Sequence, residues 1–84
     1  PNPFNPNTTI EFTVPYDSKL TLTIYDVSGR EVNSLFDNSI ITQGYHSIIW
    51  DGMDRNGQSV SAGLYMCVLE GDGISISRKM VLMK

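Results

Sequence analysis

Leu20-Thr21-Leu22-Thr23-Ile24-Tyr25 alternates apolar and hydroxyl-bearing side chains without a break. Side chains of an extended strand point to opposite faces in turn, so this spacing predicts a strand with Leu20, Leu22 and Ile24 inward. The β-branched threonines suit its outward, pleated face. Asp26-Val27-Ser28-Gly29 follows with turn chemistry, an Asp able to bond backbone donors ahead of it and a Gly free to take positive φ. A hairpin is expected, its return arm running from about Arg30 to Phe36 on the anchors Val32, Leu35 and Phe36. Because 32 and 35 differ in parity, that arm should carry a bulge or a bend.

The same period of two extends in both directions. Upstream, Ile10, Phe12 and Val14 alternate with Thr9, Glu11 and Thr13 until Pro15 stops the strand. Downstream, a polar loop at Asp37 to Ser39 precedes Ile40-Ile41, read as a short edge strand, and Gln43-Gly44 turns the chain. From Tyr45 to Trp50, the face of His46, Ile48 and Trp50 should meet the core. Asp51 to Gly57 reads as a turn. Leu64 to Leu69 is apolar on both faces, with Tyr65, Cys67 and Leu69 placed inward. Gly71 and Gly73 bracket a hairpin turn before Ile74 to Met83, where Ile74, Ile76, Met80 and Leu82 share one phase. Arg78 falls in that phase too, and a bulge beside it would keep it from being buried unpaired.

No segment shows apolar residues at the spacing of a helix face. The fold class is therefore all-β, an antiparallel β-sandwich of about seven strands. Its expected core is Ile10, Phe12, Leu20, Leu22, Ile24, Val32, Ile48, Trp50, Tyr65, Leu69, Met80 and Leu82.

Composition narrows the function. A chain of 84 residues buries only about 60–65 % of its unfolded surface and seldom frames an enclosed pocket, so catalysis is disfavoured. Nine acidic against six basic residues, a net charge of −3, disfavour nucleic acid, whose phosphates demand a basic face. The longest apolar run, Met80 to Met83, is too short to insert in a membrane. One cysteine, Cys67, provides neither a disulfide nor a thiolate metal cluster within the chain, and reads as a small buried apolar side chain. The Pro/Asn-rich residues 1–8 read as a linker to an upstream domain of the same chain, with the sandwich over residues 9–84.

Each candidate for chemistry has a structural counterpart. Asp51-Gly52-Met53-Asp54-Arg55-Asn56-Gly57 offers oxygens of the kind Ca²⁺ takes, yet lacks the terminal bidentate Glu and sets Arg55 among the ligands. The expectation is a turn in which Asp51 and Asp54 bond backbone donors, with no cofactor and no metal. The same carboxylates, unshielded from water, make a poor acid and base pair. His46 reads as a packed, hydrogen-bonded imidazole. Tyr25, Ile49, Met66 and Val68 form a candidate ligand face, although carbohydrate binding would need an aromatic platform and the four tyrosines are scattered.

Taken together, Pro1-Asn2-Pro3-Phe4-Asn5-Pro6, Ile24 to Val32, Gly44 before His46, Trp50-Asp51-Gly52, Gly57, Gly63-Leu64-Tyr65 and Lys79-Met80-Val81-Leu82-Met83-Lys84 resemble, in order and spacing, the C-terminal sorting domains of type IX secretion cargo. The resemblance covers nearly the whole chain. Trp50-Asp51-Gly52 and Gly63-Leu64-Tyr65 are also similar to the immunoglobulin-like domain of the flagellar hook-capping protein. Both imply a non-catalytic immunoglobulin-like sandwich. The sorting resemblance further implies export through the periplasm to the cell surface or medium, with the outer-membrane secretion machinery as partner. It implies that Lys79, Met80, Val81, Leu82, Met83 and Lys84 are the recognition element, since such cargo ends on this segment. The rivals are a hook-capping component and a structural or carbohydrate-binding accessory sandwich of a secreted enzyme.

Overall fold

The computed structural model of the chain describes residues 7–83. Most of the expected linker, residues 1–6, and Lys84 at the far end lie outside the described residues. Six strands follow in order: β1 (Thr8–Val14), β2 (Ser18–Asp26), β3 (Glu31–Ile41), β4 (Gly44–Trp50), β5 (Gly63–Gly71) and β6 (Ile74–Leu82). Every pairing is antiparallel. β1 and β4 form one sheet, and the other runs β3-β2-β5-β6. The two layers meet over a core of Ile10, Phe12 and Val14 from β1, Leu20, Leu22 and Ile24 from β2, Trp50 from β4, Tyr65, Cys67 and Leu69 from β5, and Leu82 from β6. Burying each large aliphatic or aromatic side chain in this layer stabilises the fold by about 1.5–3 kcal/mol relative to leaving it exposed.

The strand count is six among the described residues instead of about seven, and the reason lies in β3. Arg30 to Phe36 and Ile40-Ile41 were expected as separate arms joined by a loop; they form one strand of 11 residues. The polar interruption becomes a bulge. Leu20 faces Ser39 and Leu22 faces Phe36, so β3 carries an extra residue over this span. Thr21 holds it, its Oγ1 donating to Asp37 Oδ1 at 3.1 Å and accepting from the Asn38 N–H at 3.0 Å, with Asn38 at φ 51°. The irregularity expected from the parity of Val32 and Leu35 is present in the further register shifts of this pair.

The bulge expected beside Arg78 is absent. The β5–β6 register runs without a shift from Gly63 opposite Leu82 to Gly71 opposite Ile74. Arg78 keeps the inward phase and avoids burial because β6 is an outer strand, so the guanidinium emerges at the side of the sandwich. There Nη1 donates to the Glu11 carbonyl of β1 at 3.0 Å. Thr23, expected on a solvated face, is buried, with its Oγ1 3.3 Å from Ser34 Oγ on the neighbouring strand.

Between β5 and β6 the chain turns through Asp72 (φ 46°) and Gly73 (φ 81°), the two-residue turn whose twist matches that of the flanking strands. This turn also docks sideways. The Lys19 N–H donates to Asp72 Oδ2 at 2.6 Å, and Tyr16 Oη donates to the Asp72 carbonyl at 2.8 Å. Gly71 lies so close to β2 that a Cβ there would drive into the Lys19 carbonyl oxygen.

Candidate functional site

The motif residues that drew attention in the sequence converge at one end of the sandwich. Trp50 is wholly buried at the end of β4 and donates from Nε1 to the Met53 carbonyl at 3.0 Å, which folds the next residues back over its ring. Gly52 takes φ 75° in this return, and its carbonyl accepts from the Val60 N–H at 3.0 Å. Tyr65 meets the indole edge-on and donates from Oη to the Ser61 carbonyl at 2.6 Å. A tyrosine hydroxyl bonding backbone a few residues upstream fixes a corner between sheets in immunoglobulin-like sandwiches. Burial raises the Tyr65 phenol above its ordinary value, with a smaller contribution from Asp26. Trp50-Asp51-Gly52 and Gly63-Leu64-Tyr65 are thus two halves of one structural lock.

The turn carboxylates serve backbone donors. Asp51 Oδ1 accepts from the Met53 N–H at 3.1 Å, and Asp54 Oδ1 accepts from Asn56 and Gln58 at 2.9 and 3.0 Å. Asp26 Oδ1 accepts from the Ser28 and Arg30 N–H groups and from the Ser28 hydroxyl, bonds that hold its carboxyl below the usual range. Arg55 pairs with Glu31 on β3, tying this turn to the four-stranded sheet. Among the described residues no group of three or more His, Cys, Asp or Glu side chains converges as a metal site would require.

The two remaining candidates for chemistry are packed. His46 stacks on Phe12, ring centres 5.5 Å apart, and its Nε2 donates to the Thr42 carbonyl at 2.7 Å. Cys67 is buried, and desolvation pushes its thiol up to about 11, partly offset by Arg78. A thiol so protonated at neutral pH is a poor nucleophile.

The outer face of the four-stranded sheet has a polar half and an apolar half. The polar half is a cleft of about 490 Å³ containing Thr21, Thr23, Asp37 and Arg55, whose side chains are already engaged with one another or with Ser34 and Glu31. The apolar half is a groove of about 370 Å³ formed by Tyr25, Val27, Leu64, Tyr65, Met66 and Lys79. Tyr25, Met66 and Val68 of the expected ligand face do lie on this sheet, Tyr25 directly opposite Met66; Ile49 belongs to the other sheet.

The expected recognition segment is divided by the pleat of β6. Leu82 is core and Met80 packs against it, while Lys79 and Val81 are exposed and Met83 lies beyond the strand. Lys84 is outside the described residues. The feature the sequence did not disclose is the seam where β6 passes β1, bridged by Arg78. Its one visible signal was a cation in an inward phase.

Comparison with known proteins places this architecture. The family model of the FlgD Ig-like domain matches residues 5–73, from before β1 to the turn after β5. The chain belongs to the FlgD Ig-like domain family. A solved structure of FlgD from P. aeruginosa superposes on this Ig-like domain with a TM-score of 0.70 at 24% identity, over 90% of the present chain. The chain spans 60% of that protein's length, so the likeness concerns the fold of one part of it. No curated protein matches. The Ig-like sandwich and its relation to the hook-capping protein are therefore established for this domain.

Proposed function

We propose that this Ig-like domain is a non-catalytic docking module of the hook-capping kind, a structural part of an assembly built outside the cytoplasmic membrane. The observation that carries this reading is the family match across residues 5–73. Support comes from the side chains with chemical potential, which are spent on the fold: Asp51, Asp54 and Asp26 on backbone donors, His46 on Thr42, Cys67 in the core. The test is co-sedimentation of residues 1–84 with flagellar hooks isolated from the parent organism. Saturable binding supports the reading; a folded domain that stays in the supernatant, or a parent organism without hooks, contradicts it.

A second reading is favoured by one feature, the outer position of β6. An outer strand has one edge free for pairing, and a receptor strand recognises such an edge through its backbone. On this reading Lys79 to Lys84 form a type IX sorting signal read by the outer-membrane secretion machinery, and the parent reaches the cell surface. A periplasmic reporter fused to residues 1–84 in a type IX secreting bacterium would appear outside the cell and would be retained on deletion of Lys79 to Lys84. Retention of the intact fusion contradicts this second reading.

A further inference from the structure

One loop is built twice in this domain. At Asp26-Val27-Ser28-Gly29-Arg30 and again at Asp54-Arg55-Asn56-Gly57-Gln58, the leading Asp donates its N–H to the carbonyl of the fifth residue, at 3.0 and 2.8 Å. Its own carbonyl accepts from the glycine N–H at 3.0 Å in both loops. Its Oδ1 accepts from the N–H groups of the third and fifth residues, at 2.9 and 3.0 Å in each. Gly29 and Gly57 take φ 85° and 77°, the left-handed position that closes a three-residue loop. The backbone is the same, but the third position holds Ser28 in one loop and Asn56 in the other.

That difference is reactive. A side-chain amide is an electrophile tethered next to the backbone nitrogen of the following residue, and the tether makes ring closure an intramolecular step. Asn56 is followed by Gly57, whose nitrogen no side chain hinders; both residues are exposed and the space around Gly57 is open. Asn7, Asn33 and Asn38 precede Thr8, Ser34 and Ser39, whose side chains crowd the attack, and Asn2 and Asn5 precede prolines, which have no N–H to lose. Asp51-Gly52 and Asp72-Gly73 share the glycine but present a carboxylate, a poorer electrophile than an amide. The restraint on Asn56 is the loop itself, because the Gly57 N–H is held by the Asp54 carbonyl. We propose that Asn56–Gly57 is a covalent modification site gated by the Asp54 loop, at which asparagine deamidates through a cyclic imide. When the loop opens, the Gly57 nitrogen loses its proton to solvent and attacks Asn56 Cγ; the N–Cγ bond forms, the Cγ–Nδ2 bond breaks, and Nδ2 takes a proton and leaves as ammonia. Water then opens the imide at either carbonyl, giving an aspartyl or an isoaspartyl residue. The isoaspartyl product routes the main chain through Cβ and lengthens it by one atom, so Gly57 and Gln58 can no longer both reach Asp54. Arg55, which ties this loop to β3 through the Val32 carbonyl at 3.1 Å and through Glu31, is the neighbouring residue. The modification therefore places a new negative charge beside that ion pair and loosens the segment whose Met53 carbonyl caps Trp50.

The test is incubation of residues 1–84 at neutral pH, with peptide mapping by mass spectrometry to locate each amide converted to acid, beside a synthetic peptide of residues 51–61 that lacks the fold. The expected result is conversion at Asn56 before any other asparagine, about tenfold slower in the folded domain than in the peptide, the factor that one backbone hydrogen bond on Gly57 is worth. Asp54→Ala should move the rate toward that of the peptide, and Asp26→Ala in the twin loop should leave it unchanged. Asn56→Ser, which copies the twin loop, should end conversion there and keep the melting temperature. The isoaspartyl form, separated by ion exchange, should melt below the unmodified domain. The comparison of domain with peptide needs no variant, so it stands even if Asp54→Ala does not fold. First conversion at Asn7, Asn33 or Asn38, equal rates in domain and peptide, or no conversion of the domain over the time that a tenfold slowing allows would each overturn the proposal. Equal melting temperatures of the isoaspartyl and unmodified forms would overturn its structural consequence.

Discussion

The Trp50 indole and the Tyr65 ring meet edge-to-face, centres 4.9 Å apart and planes at 72°. Both polar ends leave the core to bond backbone, Trp50 Nε1 to Met53 and Tyr65 Oη to Ser61. The pair therefore joins the two sheets and fixes both ends of the segment between β4 and β5. Trp50→Ala should cost about 3–5 kcal/mol, a large share of the roughly 5–15 kcal/mol that holds a small domain folded. Tyr65→Phe keeps the ring contact and loses one hydrogen bond, about 1 kcal/mol. Urea denaturation of the two variants checks the order and the gap.

Gly71 is expected to tolerate no side chain. Its φ of 140° is strained for other residues, and the Lys19 carbonyl occupies the space a Cβ needs. Gly71→Ala should lower the melting temperature far more than Gly57→Ala, where φ is also positive but the surrounding space is open. Equal losses at the two sites would show that the close approach to β2 is unimportant.

Acid stability should depend on Asp26. Its folded-state carboxyl titrates below its ordinary value, first because of the Ser28 hydroxyl and then the Arg30 N–H. A group depressed in the folded state contributes stability above its unfolded value, lost as pH falls through the folded one. Asp26→Asn should therefore narrow the stability difference between neutral and acid conditions, with the change confined to pH below about 4. Thermal melts across that range read it directly.

Cys67 should be unreactive while the sandwich is intact. With the thiol at about 11 and the side chain buried, alkylation at neutral pH requires opening of the core. Labelling by iodoacetamide should follow the urea unfolding curve measured by tryptophan fluorescence. Rapid labelling of folded protein would contradict the placement.

The strands of this fold were legible because one face of each is buried, which writes a period of two into the sequence. Ile10, Phe12 and Val14, and Leu20, Leu22 and Ile24, carry it without interruption and are all in the core. The continuity of β3 was hidden because its bulge is stabilised by Thr21, a residue on the neighbouring strand that local pattern does not reveal. Arg78 was hidden for a related reason: periodicity reports phase, while exposure of an inward residue depends on how far the opposite sheet extends. The same limit concealed the seam, since the unequal width of two layers is a property of topology. Trp50 and Tyr65 were visible as motif residues, but their mutual contact required the fold.

The docking account is tested most directly by exchanging the Ig-like segment of a hook-capping protein for residues 1–84 and imaging hooks on the cells by electron microscopy. The account predicts that the chimera assembles hooks and that Trp50→Ala abolishes them. Cells bearing a stable, folded chimera and no hooks would contradict it.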